Sequence, residues 1–268
     1  MPSTPSSPPD TAPNSSAPDP ASRSAVCAIH QPNLLPRMAT LAKIAAADTW
    51  IVLDTVQAAR RDWQHRTRLA DLNDPERRQW LSIETRRPAG RATLIRDTAA
   101  TDPAKAARRL GEMLAAAYRT SPHWATVDQI RRRTLDALTA SAALTDIATA
   151  STAAMLDAIG WHGTIIRAST LTAGTERTDR LIDLCAAVGA RTYLCGTGGL
   201  RYVDPDRFAQ ADIDLVPFPA ANADAGPVWR GARQITGLWA LAAHGPDTVA
   251  RALANLATVR GLRPPIAL

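Results

Sequence analysis

The chain predicts an α/β fold: a mainly parallel sheet flanked by helices, with a helical insertion and a disordered N-terminal tail. Three observations predict it. Short apolar runs that end in polar loops alternate with segments of helical period from residue 25 onward. The first two runs, residues 25–29 and 49–53, enclose one helical stretch, which is the order of a parallel βαβ unit. Residues 102–160 then read as an almost unbroken helical segment inserted before the next strand signal.

The elements follow in order. Residues 1–24 are almost all Pro, Ser, Ala, Thr, Asp and Asn, too polar to offset the entropy of ordering, so they are expected to be disordered. Residues 25–268 are expected to form one domain. The strand at 25–29 runs into His30-Gln31-Pro32-Asn33 and Pro36; two prolines forbid a helix or central strand there and make a rigid loop. A helix is expected over 38–47, and a second strand over 49–53 ends at Asp54. Residues 57–68 are polar and Arg-rich; 79–84 and 93–96 read as strands. Asp102-Pro103 supplies an N-cap and a first-turn proline, and the helical character that follows is broken near Ser121-Pro122. Strands are expected at 164–167, 192–194 and 213–216, and helices at 178–188, 204–211, 229–243 and 246–259. No internal repeat is present.

Composition limits the function classes. With 268 residues, 46% hydrophobic, the chain can bury a sizeable core. It has no apolar run of about eighteen residues, so no membrane span is expected, and a cytoplasmic location follows from the lack of a secretory signal. Cys27, Cys185 and Cys195 make no CxxC pair and no Cys/His metal spacing, so reduced thiols, no metal and no cofactor are expected. The net charge of +6 rests on arginine, since Lys43 and Lys105 are the two lysines. Arginine in excess is consistent with an anionic partner, and equally with a GC-rich genome.

Four groups could carry chemistry. His30 is the natural acid/base candidate, because imidazole titrates near neutrality and this one sits between a buried strand and two prolines. Gln31 and Asn33 add amides that could orient a carbonyl or amine. The second group is Asp54, Gln57, Arg60, Arg61, Trp63, Gln64, His65, Arg66 and Arg68, where guanidinium forks and a flat ring suit an anion, the alternative being a solvated basic loop; in an extended piece, Arg66 and Arg68 share a side. The third is the turn Cys195-Gly196-Thr197-Gly198-Gly199, neither a P-loop nor a dinucleotide fingerprint, whose backbone N–H groups could face an anion. Cys195 could be an acyl nucleophile with His30 as base, or packing at a strand end. Arg167, Ser169, Thr178 and Arg180 form a fourth group after another strand end, in which Arg180 could complete an anion clamp or pair with Asp183 or Glu176 on a helix surface.

Six ordered motifs make the chain similar to the WbqC-like family: His30-Gln31-Pro32-Asn33 with Leu35-Pro36; Lys43-Ile44 with Asp48; Leu53-Asp54 with Gln57; Trp63-Gln64 with Arg66 and Arg68; Thr178-Asp179-Arg180-Leu181; and Tyr193 through Gly199 with Tyr202. Departures are Arg37 where the family has an aromatic, His65 where it has Asn, an Ala-rich 220–226, and Trp239 in place of an acidic residue. The resemblance implies an acyl- or aminoacyltransferase forming an amide on a small-molecule amine acceptor, in natural-product or surface-polysaccharide biosynthesis. It implies catalysis by His30, Gln31 and Asn33; similar proteins often carry Ser where this chain has Cys195, so a thiolate is not required by the resemblance. It implies substrate binding by Lys43, Asp54, Gln57, Trp63, Arg66, Arg68, Ser169, Arg180, Gly196, Thr197, Gly198, Gly199 and Tyr202. The anionic donor would be aminoacyl-tRNA, a carrier-protein thioester or a coenzyme A thioester. Nucleotidylyl or adenylyl transfer is the second reading, and a non-catalytic RNA-binding protein the third.

Overall fold

The computed structural model describes residues 25–219 and 221–267. The 1–24 tail lies outside the described residues. Five strands form one parallel sheet: β1 (Ala25–His30), β2 (Thr49–Val52), β7 (Thr164–Arg167), β8 (Ala190–Cys195) and β9 (Asp214–Pro217). Their order is β7-β2-β1-β8-β9, and every neighbouring pair is parallel. The chain therefore walks outward from β1 to β2 and β7, then returns to the other side of β1 for β8 and β9. Such a reversal opens a crevice at the carboxyl ends of the two strands that flank it, here β1 and β8.

Alternation along each strand supplies two cores, as period-two side-chain geometry requires. Ala28, Trp50, Val52 and Leu194 point into the larger one, built with helices α1 (Met38–Ala45), α7 (Leu238–His244) and α8 (Pro246–Thr258). Cys27, Ile29, Ile51, Tyr193 and Cys195 point into the smaller one, against α5 (Arg177–Ala187) and Phe208 of α6 (Pro205–Gln210).

The helical insertion consists of α2 (Pro103–Tyr118), α3 (Trp124–Ala140) and α4 (Leu144–Ala158). Asp102 caps α2 by accepting from Lys105 N at 2.9 Å, ahead of Pro103. Before the insertion come two small antiparallel pairs, β3 (Arg66–Ala70) with β4 (Arg78–Ser82), and β5 (Thr85–Arg86) with β6 (Ala99–Ala100).

Two expected elements differ. The strand expected at 93–96 is a single bridge between Gln57 and Leu94 followed by a 3-10 turn at Ile95–Asp97. The helix expected over 229–243 begins at Leu238. Gly231 takes φ 62° and caps a turn, while the amides of Thr236 and Gly237 are drawn to Arg68 O (2.9 Å) and Pro36 O (2.7 Å), so tertiary bonds replace helical ones.

Candidate functional site

The loop after β1 is fixed from several directions. Asn33 O accepts from Thr152 Oγ1 at 3.0 Å, and Leu35 N donates to Ser151 Oγ at 2.9 Å, both on α4. Leu35 takes a left-handed φ of 43°, and its carbonyl accepts two hydroxyls, Thr67 Oγ1 at 3.0 Å and Thr236 Oγ1 at 2.8 Å. Leu34 N donates to Trp63 O at 3.0 Å. A non-glycine residue at positive φ persists only where its surroundings over-determine it, and these bonds do so.

His30 ends β1, with its carbonyl accepting from Trp50 Nε1 (3.2 Å) and Leu53 N (2.9 Å). Its ring is paired at both nitrogens: Nε2 faces Asn33 Oδ1 at 3.3 Å and Nδ1 faces Lys43 Nζ at 3.2 Å. Asn33 Nδ2 donates to Pro32 O, so its oxygen is the group turned to the imidazole. The consistent tautomer has the proton on Nε2 and the Nδ1 lone pair accepting from Lys43. Burial, then the positive charges of Lys43 and Arg37, hold His30 well below its ordinary value, so it stays neutral.

Lys43 is itself buried, in the last turn of α1, and donates to Ile29 O at 3.0 Å as well as to His30. Desolvation lowers it to about 8, against smaller opposing effects of Cys195 and Cys27. With two N–H groups engaged, the third position of its nitrogen holds a proton when charged and a lone pair when neutral. A β-carbon placed on Gly196 would lie 3.8 Å from this nitrogen, an ordinary contact, so the β8 turn packs directly beside the amine.

The two loops therefore meet at the β1/β8 crevice and line one cavity of about 990 Å³. His30, Gln31, Lys43, Gln57, Arg180, Gly196, Thr197, Gly198, Gly199 and Tyr202 all line it. Arg180 is steadied by Gly174 O (3.2 Å) and Thr175 O (2.6 Å). Gln31 Oε1 accepts from Gln64 Nε2 at 2.6 Å. In the glycine turn the amides of Gly199 and Leu200 bond to Gly196 O, so a cradle for an oxyanion relies on those of Thr197 and Gly198.

Other singled-out residues lie elsewhere. Arg66 and Arg68 stack on Trp80, their guanidinium carbons 4.3 and 4.4 Å from its ring centre; Trp63 sits 5.2 Å from Trp80 on its other contact. None of the four lines the cavity. Asp54 is fully buried and accepts from Ser169 N (3.0 Å) and Ser169 Oγ (2.7 Å), tying the end of β2 to the end of β7. Cys195 is fully buried on the α5–α6 side, and burial pushes its thiol up, partly offset by Lys43 and Tyr193. A thiol raised and shielded in this way is suited to packing, not to attack. Among the described residues no group of three or more His, Cys, Asp or Glu could hold a metal ion.

Sequence reasoning missed Arg37, Arg177 and Thr40, which also line the cavity, and Ser151, Thr152, Thr67 and Thr236, which mount the loop. Arg37 was visible as a departure from the family pattern; it lies 4.3 Å over Trp63 and bonds Arg233 O at 3.1 Å. The four hydroxyls carried no signal, since isolated Ser and Thr on apolar segments are common.

The model of the WbqC-like protein family matches residues 31–223, which span both loops of the crevice. The chain belongs to the WbqC-like family. No curated protein and no solved structure matches it. Among the described residues of this WbqC-like protein, no helix is long and apolar enough to cross a membrane.

Proposed function

We propose that this WbqC-like protein transfers an acyl or aminoacyl group from an anionic thioester or ester donor to an amine, forming an amide. One observation carries the reading: a buried lysine brought to about 8 lies against a neutral histidine and a glycine turn, in a cavity bearing Arg37, Arg177 and Arg180. The amine nitrogen attacks the donor carbonyl, and the carbonyl electron pair moves to oxygen, facing the Thr197 and Gly198 amides. Neutral Lys43 takes the amine proton. Collapse of the tetrahedral species expels the thiolate or alkoxide, which leaves with the proton returned by Lys43. His30 holds Lys43 in place and keeps its lone pair on the cavity side, while the guanidinium groups attract the donor's negative charge.

The test is a pH profile of amide formation. Because the base is the neutral amine, kcat/KM should rise through pH 8 and level above it. His30→Ala should lower turnover while donor binding is kept. A rate indifferent to pH between 7 and 9, together with full turnover in His30→Ala, would remove the pair from the mechanism. Release of pyrophosphate from a nucleoside triphosphate would move the protein to nucleotidylyl transfer instead.

A further inference from the structure

A second cleft, of about 1090 Å³, adjoins the first, and Gln57 lines both. Its wall carries Arg60, Arg87, Arg91 and Arg109, drawn from the 57–60 loop, the segment after β5 and helix α2. Among the described residues none of these four is in an ion pair. Glu84 is the acidic lining residue. The excess of positive charge has measurable local effects. Burial lowers the Arg87 guanidinium, and Arg60 lowers it further by direct repulsion. His65, also on the wall, is brought down to about 4 by burial and then by Arg87 and Arg66, against a weaker pull from Asp62. Arg87 Nε and His65 Nδ1 are buried atoms without a hydrogen-bond partner, for which a bound water or ligand would supply the missing partner.

Cations crowded around a cleft and left uncompensated by carboxylates are stabilised by an anion, and guanidinium forks match phosphate oxygens two at a time. The four share the wall of one cleft, which favours a compact phosphate or diphosphate over the backbone of a duplex. We infer that this second cleft binds the phosphate groups of the donor, through Arg60, Arg87, Arg91 and Arg109, while the donor's acyl end passes Gln57 to reach Lys43 and Gly196. The link between the clefts rests on the transfer reading above; the anion site does not. The donor class this arrangement selects is a small phosphate or diphosphate ester with a flexible acyl-bearing arm, of which a coenzyme A thioester is the simplest source.

The test is calorimetric titration of the full chain with pyrophosphate and, separately, with coenzyme A at low salt. Arg91 and Arg109 are exposed, so the Arg91→Gln/Arg109→Gln variant keeps its fold. It should bind pyrophosphate and coenzyme A at least roughly tenfold more weakly, the scale of a lost charge-assisted bond. Arg251→Gln, exposed on α8 and lining neither cleft, should bind both as the unaltered protein does. Lys43→Met should bind pyrophosphate normally while losing amide formation; if the unaltered protein binds pyrophosphate yet forms no amide with any acyl donor, the transfer reading fails and the anion site stands. No binding of pyrophosphate, equal binding in the double variant, or binding of tRNA with no competition from coenzyme A would each overturn the inference.

Discussion

Two arginine-bearing regions of the molecule contrast. On the β3–β4 hairpin, Arg66 and Arg68 lie flat on Trp80, and Arg66 also bonds Arg61 O and Asp62 O, so their donors are largely turned to their own chain. At the β1/β8 crevice, Arg37, Arg177 and Arg180 line a cavity that holds a perturbed lysine. Residue type is the same in both places, and what separates them is topology. At the crevice the strand order reverses, so the loops after β1 and β8 diverge and leave room for a ligand. A cation–π stack stabilises a hairpin and leaves its arginines little freedom to bind anything else.

Four substitutions or titrations would break or sharpen that contrast. The largest effect is expected for Lys43→Met, which removes the amine but keeps the stem's volume: amide formation should fall about 10²–10⁴-fold, the usual worth of a positioned acid or base. Far-ultraviolet circular dichroism should show the same fold, and a turnover loss under threefold would place the crevice on a par with the hairpin. Stability gives a second, independent reading of the same group. Lys43 is lower in the folded protein, about 8, than its ordinary 10.5, so between those values the unfolded chain binds more protons and stability rises with pH. Below pH 8 the lysine is charged in both states and that slope vanishes. Urea midpoints measured from pH 7.5 to 10 should show the rise, and Lys43→Met should flatten it.

Gly199 comes next. A β-carbon there would fall 2.7 Å from Cys195 Sγ, so Gly199→Ala should destabilise by about 1–3 kcal/mol through overpacking. Adding Cys195→Ala removes the sulfur and should restore most of that loss in thermal unfolding. The same double variant should keep its turnover, as a packing thiol requires; loss of turnover with stability restored would return Cys195 to the chemistry. The smallest change is expected on the hairpin: Trp80→Ala should cost about 1–2 kcal/mol from two cation–π contacts, with turnover within about twofold. A large turnover defect there would erase the distinction between the two regions.

Much of the sheet was legible because its strands are short apolar runs with punctuating loops. Residues 25–29, 49–53, 164–167 and 213–216 are found within a residue or two of where the pattern placed them. The β5–β6 pairing was not, since two-residue strands leave no periodicity. At the site, His30, Lys43 and the glycine turn were readable from motif order, and they converge on one cavity, with Lys43 Nζ 3.2 Å from His30 Nδ1. The distinction between Arg180, which lines the cavity, and Arg66 and Arg68, which do not, was unreadable. It depends on where Trp80 lands across the hairpin from Arg68, a pairing set by strand register. Likewise, the partnership of Asp54 with Ser169 needs β2 and β7 to be neighbours, which sequence order alone leaves open.

The hydroxyls of Ser151 and Thr152 carry one last consequence. They hold Asn33 and Leu35 across sequence separations of 116 to 119, so the first loop of the chain gains its final shape from a helix made much later in synthesis. Until α4 docks, the loop of an emerging polypeptide can have its bonds with Trp63 and Thr67 but lacks those from Ser151, Thr152 and Thr236. A truncation before residue 150 should therefore leave that loop without most of its mounting.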